Sequence, residues 1–266
     1  RDLPDKYIIR GNEERYLENL IGKDQTTWTD GQMQISYWCY RNISTDCLSY
    51  LMSLPHTIDT VADGVGMHIA HASDAFTGSS EFDLFGPAVL AEEFSHRKIT
   101  ADILRAYISD KLQKDSTFRN KVSALEGGVY IFGHSHVQWT FSDGGVLLIN
   151  PGSCGLPLDG IAESIPYTIL TVGDGRASAE EIRLPFDKRT YTDMLRQTTQ
   201  YTEAPVWSKV IIKELLTTRE HLTFFLQAVN TYAEETGDKK RPFSVDTWEK
   251  AFEVWEKTLA DKTDML

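Results

Sequence analysis

The chain has 266 residues, of which 41% are hydrophobic and 25% charged, and its formal net charge is −12. No apolar run approaches the ~18–20 residues of a membrane-spanning helix, and no segment reads as a signal peptide, so no membrane partner is expected and the localisation reads as cytoplasmic. The acidic balance argues against a long nucleic acid as partner, because that binding rests on Lys and Arg neutralising phosphates. Cys39, Cys47 and Cys154 are odd in number and form no Cys-x-x-Cys pair, which fits a reducing compartment and neither a disulfide framework nor a thiolate zinc site.

In chain order, Arg1-Asp2-Leu3-Pro4-Asp5-Lys6 reads as a helix tail and loop leading into a strand over 7–10. Apolar residues three and four apart predict helices over 13–21, 30–40 and 44–53. Strands are expected over 57–61 and 67–70, around the turn Asp63-Gly64-Val65-Gly66. The polar, glycine-bearing stretch 73–86 reads as a loop suited to lie over a site, and 99–112 as an amphipathic helix. Strands follow over 129–132, 138–141 and 146–149, the last two joined by Ser142-Asp143-Gly144-Gly145. A second hairpin is expected over 167–172 and 179–184.

From about Thr202 the pattern becomes helical. Thr217 with Glu220 resembles a capping box before the stripe Leu222, Phe225, Leu226, Val229 and Tyr232. Gly237 suits a helix C-cap, Lys239-Lys240-Arg241-Pro242 a solvated link, and Trp248, Phe252, Trp255 and Leu259 a second stripe. The stripes read as core; the sharper alternative makes this extension a homodimer contact or a cover for substrate. The expected organisation is an α/β body over 1–200 and a helical C-terminal extension over 201–266.

The residues that carry chemistry cluster at strand ends. Phe132-Gly133-His134-Ser135-His136 places two imidazoles one residue apart after an apolar strand, where a glycine allows a sharp exit. Asn150-Pro151-Gly152-Ser153 supplies a turn after a later strand, and Asn150 and Ser153 read as shaping it. His68 lies three residues before His71, so on one strand the two face opposite sides, and His68 reads as structural. His56, His96 and His221 have no chemical company in the sequence.

This set resembles the calcineurin-like metallophosphoesterase superfamily, and especially its small bacterial phosphodiesterase branch. Gly133-His134-Ser135-His136 resembles the family's Gly-His-x-His motif, and Gly11-Asn12-Glu13-Glu14 its Gly-Asn-His-Asp/Glu block. His71, closing Val65-Gly66-Met67-His68-Ile69-Ala70-His71, resembles its lone ligand histidine. The resemblance covers roughly residues 1–185. It implies a four-layer α/β/β/α sandwich lacking its first strand–helix–strand unit, with Asn12, His71, His134 and His136 as metal ligands, His136 at the first of two ions and the others at the second.

The departures are informative. The family's opening Asp-x-His and Gly-Asp-x-x-Asp, which complete the first ion's shell, occur nowhere in this sequence, and the expectation is an N-terminally incomplete copy. Glu13 stands where most members have the histidine that helps protonate the leaving oxygen; it reads either as an acid candidate, which needs a raised pKa, or as a plain helix-start residue. Glu14 is a second outer-shell or acid candidate. The implied activity is a phosphoesterase, a phosphodiesterase in particular, acting on a small soluble phosphate ester through two divalent ions, Mn²⁺, Fe²⁺ or Zn²⁺. The alternative is a non-catalytic binding scaffold of the same fold that has lost its first metal site.

Overall fold

The computed structural model of the chain describes residues 6–78, 86–95 and 97–263. The expected helix tail at 1–5, part of the loop at 79–85 and His96 lie outside the described residues. Its centre is a five-stranded mixed sheet in the order β1-β2-β3-β5-β4, built from β1 (Thr57–Ala62), β2 (Val65–Ala70), β3 (Gly128–Ile131), β4 (Gln138–Asp143) and β5 (Val146–Pro151). The three inner strands run parallel, with Met67 opposite Val129 and Val129 opposite Leu147, while β1 and β4 pair antiparallel at the edges. Parallel inner strands must be covered on both faces, and β3 is accordingly buried along nearly its whole length.

One face is covered by α5 (Pro87–Glu93), α6 (Ala101–Lys114) and α7 (Ser116–Ala124). Leu104, Ile108 and Leu112 recur every four residues on α6 and meet Tyr130, Phe132, Trp139 and Leu148 in one core. The other face meets a hairpin of β6 (Ser164–Gly173) and β7 (Arg176–Pro185), paired through all ten residues. Gln138 on β4 locks the two layers: its amide donates to Tyr167 O at 2.8 Å and its carbonyl accepts from Arg183 Nε at 3.1 Å. The protein is therefore a mixed α/β structure with two β layers, an outer helical layer and C-terminal helices.

Several expectations are corrected. Residues 7–10 form no strand; Arg10 N donates to Pro55 O at 2.9 Å and Arg10 Nε to Leu54 O at 3.0 Å, so the segment hangs on a loop instead of a ladder. An apolar run becomes a strand only with a partner edge, and none is offered here. The helix expected over 13–21 is the shorter α1 (Asn12–Glu18), and that over 30–40 divides into a tight turn at Gly31–Met33 and α2 (Gln34–Asn42). The helix over 44–53 is α3 (Thr45–Ser53), capped by Ser44. The presumed loop after Ser73 contains the single turn α4 (Asp74–Thr77).

The helical region starts at Lys188, earlier than the pattern suggested, with α8 (Lys188–Leu195), α9 (Thr199–Glu203), α10 (Pro205–Thr217), α11 (Leu222–Thr236) and α12 (Val245–Thr263). The two aromatic stripes face one another: Phe225, Val229, Trp248, Phe252 and Trp255 share a second core with Val206 and Val210. Gly237 ends α11 at φ 73°, as expected. The Thr217/Glu220 box does not form, since Thr217 is still in α10 and Glu220 accepts from Thr223 N at 2.6 Å. This core docks on the N-terminal turn, where Trp207 Nε1 donates to Gln32 O at 2.7 Å. A Cβ on Gly31 would stand 2.7 Å from that of Trp248, so only glycine fits there.

Candidate metal centre

The expected site residues gather at the C-terminal ends of the parallel strands β2, β3 and β5, where the loops leave the sheet. Open α/β sheets place ligands at this edge because the backbone there diverges into a crevice. His71 follows β2 directly. Gly133 follows β3, and its N–H donates to His71 O at 2.9 Å, tying the two loops together. α1 approaches from the side and brings Asn12 and Glu13.

Asn12, His71 and His134 meet. His71 Nε2 lies 2.7 Å from Asn12 Oδ1 and 3.3 Å from His134 Nδ1. Donor atoms held ~2.0–2.2 Å from one divalent ion stand roughly 3 Å from each other, so these spacings suit a shared cation. Asn12 Nδ2 donates to Glu13 Oε1 at 3.3 Å, which leaves its carbonyl oxygen toward His71. Gly11 packs so close to the His71 ring that a Cβ there would stand 3.1 Å from Cε1 and Nδ1.

His136 belongs to the same loop but looks elsewhere. Its Nδ1 donates to Leu156 O at 2.7 Å, which fixes the proton on Nδ1 and leaves Nε2 with a lone pair. Ser153 holds that carbonyl in place by accepting from Leu156 N at 3.0 Å. Both His134 and His136 sit in the left-handed region, at φ 67° and 58°. Side chains with a Cβ avoid that region, and strain of this kind gathers at functional loops.

Asn150 opposes the strain. Its buried amide donates to Gly133 O and Ser135 Oγ, both at 2.9 Å, and its carbonyl accepts from Gly152 N at 3.0 Å. Gly152 itself has φ 75° and would bring a Cβ to 2.7 Å from Pro166. Asn150 and Ser153 thus shape the turn under the histidines, as expected.

Burial pushes the His71 pKa down, and the charges of His134 and His136 push it further, against Glu14 and Asp74. Burial also lowers that of His136, partly offset by the Leu156 carbonyl. Both rings therefore stay neutral at neutral pH, the form in which imidazole binds metal. The Glu13 pKa is raised, by crowding first and the Glu14 charge second; its side chain stays exposed, so water screens the effect. Glu14 Oε2 accepts from Gly11 N at 2.7 Å and so ties down the start of α1.

Among the described residues no group of three or more His, Cys, Asp and Glu side chains is placed to hold a metal ion; the three converging donors include the amide of Asn12. His68 pairs with Asp59 at 2.6 Å and stacks on Tyr130 with ring centroids 4.6 Å apart, a structural role as expected. His221 does have company: it lies 2.9 Å from Thr217 Oγ1 and edge-on to Trp255. Two participants carried no usable sequence signal: Leu156 acts through its carbonyl, and Glu220, whose charge reaches His136, carried only a helix-cap signal.

The sequence matches no protein-family model and no curated protein. Among solved structures, the chain is similar to a hypothetical protein of Pyrococcus horikoshii, at 12% identity over 82% of this chain and 75% of that one, with TM-score 0.47. It is similar to a conserved uncharacterized protein of Streptococcus pneumoniae, described as a predicted phosphoesterase, at 16% identity, 51% and 57% coverage and TM-score 0.27. It is also similar to Entamoeba histolytica Vps29 solved with Zn²⁺, at 17% identity, 51% and 63% coverage and TM-score 0.23. The chain thus spans less than two thirds of the streptococcal and Entamoeba proteins. With TM-scores this low, the likenesses carry no argument about the fold or the site. No helix among the described residues is long and apolar enough to cross a membrane.

Proposed function

We propose that this protein is a metal-dependent phosphoesterase of the calcineurin-like metallophosphoesterase type, hydrolysing a small phosphate ester, with phosphodiesters the favoured class. The observation that carries the reading is the meeting of Asn12 Oδ1, His71 Nε2 and His134 Nδ1 at a sheet edge. These three would hold one ion, and His136, through Nε2, would be the only one of these residues turned to a second. Divalent ions, when bound, supply Lewis acidity toward phosphate oxygens and a more acidic water.

The chain's own residues do the rest. As it stands, His71 Nε2–H donates to Asn12 Oδ1 at 2.7 Å; to hold a cation through Nε2 the ring would carry its proton on Nδ1 instead. Asn12 contributes a neutral oxygen, which leaves the ion's charge undiminished for an anionic ester. His136 keeps its proton on Nδ1 against Leu156, so Nε2 stays an acceptor. Glu13, whose Oε1 accepts from Asn12 Nδ2 at 3.3 Å, is the candidate to hold a proton for the leaving oxygen, a role that needs bound substrate to exclude the water that now screens it.

One observation favours the second reading, a binding scaffold of the same fold: among the described residues no carboxylate joins the three donors. One experiment decides between them. The full-length gene product is loaded with Mn²⁺, Fe²⁺ or Zn²⁺ in turn, and metal content and turnover of a bis(nitrophenyl) phosphate are measured for the parent and His134→Ala. Turnover that vanishes in the variant supports the esterase. Metal uptake lost in the variant, with no turnover in the parent, supports the scaffold. Uptake unchanged in the variant, with turnover either unchanged or absent from the parent as well, refutes both.

A further inference from the structure

A cavity of about 320 Å³ opens where α8, α9, α10 and α12 converge. Its walls carry three cations, Arg196, Lys209 and Lys213, and three aromatic rings, Tyr201, Phe252 and Trp255. Lys209 Nζ stands 5.4 Å from the centre of the Phe252 ring, and Lys213 Nζ 5.8 Å from that of Trp255. A ring held this way takes one side of an ammonium and leaves N–H donors free on the other. Lys209 is exposed, and the half-buried Lys213 keeps its ammonium open to solvent, so a molecule in the cavity can reach both. Arg196, also exposed, pairs with Asp193 through Nη1 at 2.6 Å.

The two lysines depart from the pattern of the helices around them. Lys114 and Lys250 each pair with an aspartate one turn earlier, Asp110 and Asp246, at 2.6 and 2.8 Å. One turn before Lys209 stands Pro205, and one turn before Lys213 stands Lys209 itself. Among the described residues neither lysine has an ion pair, not even with Glu256, the one acid that lines the cavity. Like charges four apart on a helix repel, and the chain has 39 acidic residues against 27 basic ones from which a partner could come. The cavity is large enough for a small molecule, apolar where Phe252 and Trp255 line it, and short of a negative group.

We propose that this cavity binds a small amphipathic anion, whose phosphate or carboxylate head accepts hydrogen bonds from the ammonium groups of Lys209 and Lys213 while its apolar body rests against Phe252 and Trp255. The inference stands apart from the phosphoesterase reading, since none of these residues belongs to the histidine site. It also accounts for two unpaired cations kept side by side on an acidic chain.

The test titrates chelator-treated full-length protein with phenylphosphonate, which has no ester bond to hydrolyse, and separately with phenylacetate and inorganic phosphate, following amide and indole NMR shifts. Shifts should concentrate in α10, in α12 and at the Trp255 indole, and His134→Ala should bind as the parent does. The double variant Lys209→Met, Lys213→Met keeps the stems that pack on the rings without their charge and should weaken phenylphosphonate binding at least about tenfold, the size of one charge-assisted hydrogen bond. Tighter phenylphosphonate than phenylacetate assigns the site to phosphate-bearing molecules, and the reverse to carboxylates. The proposal is overturned if neither aromatic anion moves the α10 and α12 signals, or if the double variant binds phenylphosphonate as well as the parent. Inorganic phosphate that binds as tightly as phenylphosphonate overturns the amphipathic ligand. Both lysines are at the surface, and the variant's own amide spectrum reports its fold.

Discussion

Asn150→Ala is the sharpest probe of how the histidine loop is held. The wild-type amide makes three hydrogen bonds, to Gly133 O, Ser135 Oγ and Gly152 N. At about 1 kcal/mol net for each, they contribute ~3 kcal/mol. Against them stand two left-handed histidines, each costing about 1 kcal/mol relative to an extended conformation. Removing the amide leaves strain with little to oppose it, and strands a carbonyl, a hydroxyl and an N–H in a region that is 1% exposed at residue 150. The loop then relaxes, and part of the lost energy returns as relieved strain. Urea denaturation should show a loss of about 2–4 kcal/mol, and calorimetry with Zn²⁺ a loss of affinity, because His134 no longer meets His71. A variant within ~0.5 kcal/mol of the parent that binds metal equally well would refute the claim that Asn150 holds the site.

Three further outcomes follow from the same geometry. Gly11→Ala, whose φ of −104° suits alanine, should leave stability within about 1 kcal/mol yet weaken Zn²⁺ binding about tenfold by pushing the His71 ring; unchanged affinity sinks the argument. Burial, then Lys213 and Arg219, hold the His221 pKa down to about 4, below its ordinary value of 6.5. The unfolded chain therefore takes a proton the fold resists, and stability should fall by up to about 2 kcal/mol as pH drops from 6.5 toward 4, allowing for partial exposure. His221→Gln should flatten that fall, and an equally steep curve counts against it. Glu214 runs the other way: burial and Glu220 push its pKa up to about 8 despite N–H donors from His221 and Leu222 at 2.8 Å. Its stabilisation is complete below pH 4.5 and is lost as pH rises through 8, so Glu214→Gln should gain on the parent steadily across that range. A variant that loses ground with rising pH instead would contradict the assignment.

Much of this was legible because the physics is local. Alternating apolar residues around Gly-rich turns marked both hairpins, and the Gly-His-x-His run marked its own loop by needing a glycine after a buried strand. Asn12 and His71 were legible only through motif order, since 59 residues separate the two atoms that meet. What failed was nonlocal. Tyr7-Ile8-Ile9-Arg10 has strand composition but no edge to pair with. Thr217 and Glu220 have cap spacing, yet Thr217 still completes a turn of α10. α7 is a local feature that the expected elements lack: Asp115 accepts from Phe118 N at 2.8 Å as its cap, and the buried Phe118 and Val122 are four apart. The Leu156 carbonyl, by contrast, could not be read from any side chain.

The C-terminal helices are coupled to the histidine loop through one turn. Thr218 O, at the left-handed end of α10, accepts from Gly160 N at 2.7 Å, and Arg219 reaches Phe94 O at 2.7 Å and Arg97 O at 2.9 Å. Gly160 lies four residues beyond Leu156, whose carbonyl holds His136, and its φ of 76° and closeness to Ile99 both require glycine. Glu220, next in line, raises the His136 pKa against the effect of burial. The segment between His136 and the hairpin is therefore clamped from two sides, by Asn150 and Ser153 at one end and by the α10–α11 turn at the other. The α10–α11 turn thus braces the loop on which the Leu156 carbonyl fixes the His136 tautomer, so changes in the packing of the helices should register at the site before they unfold the α/β body.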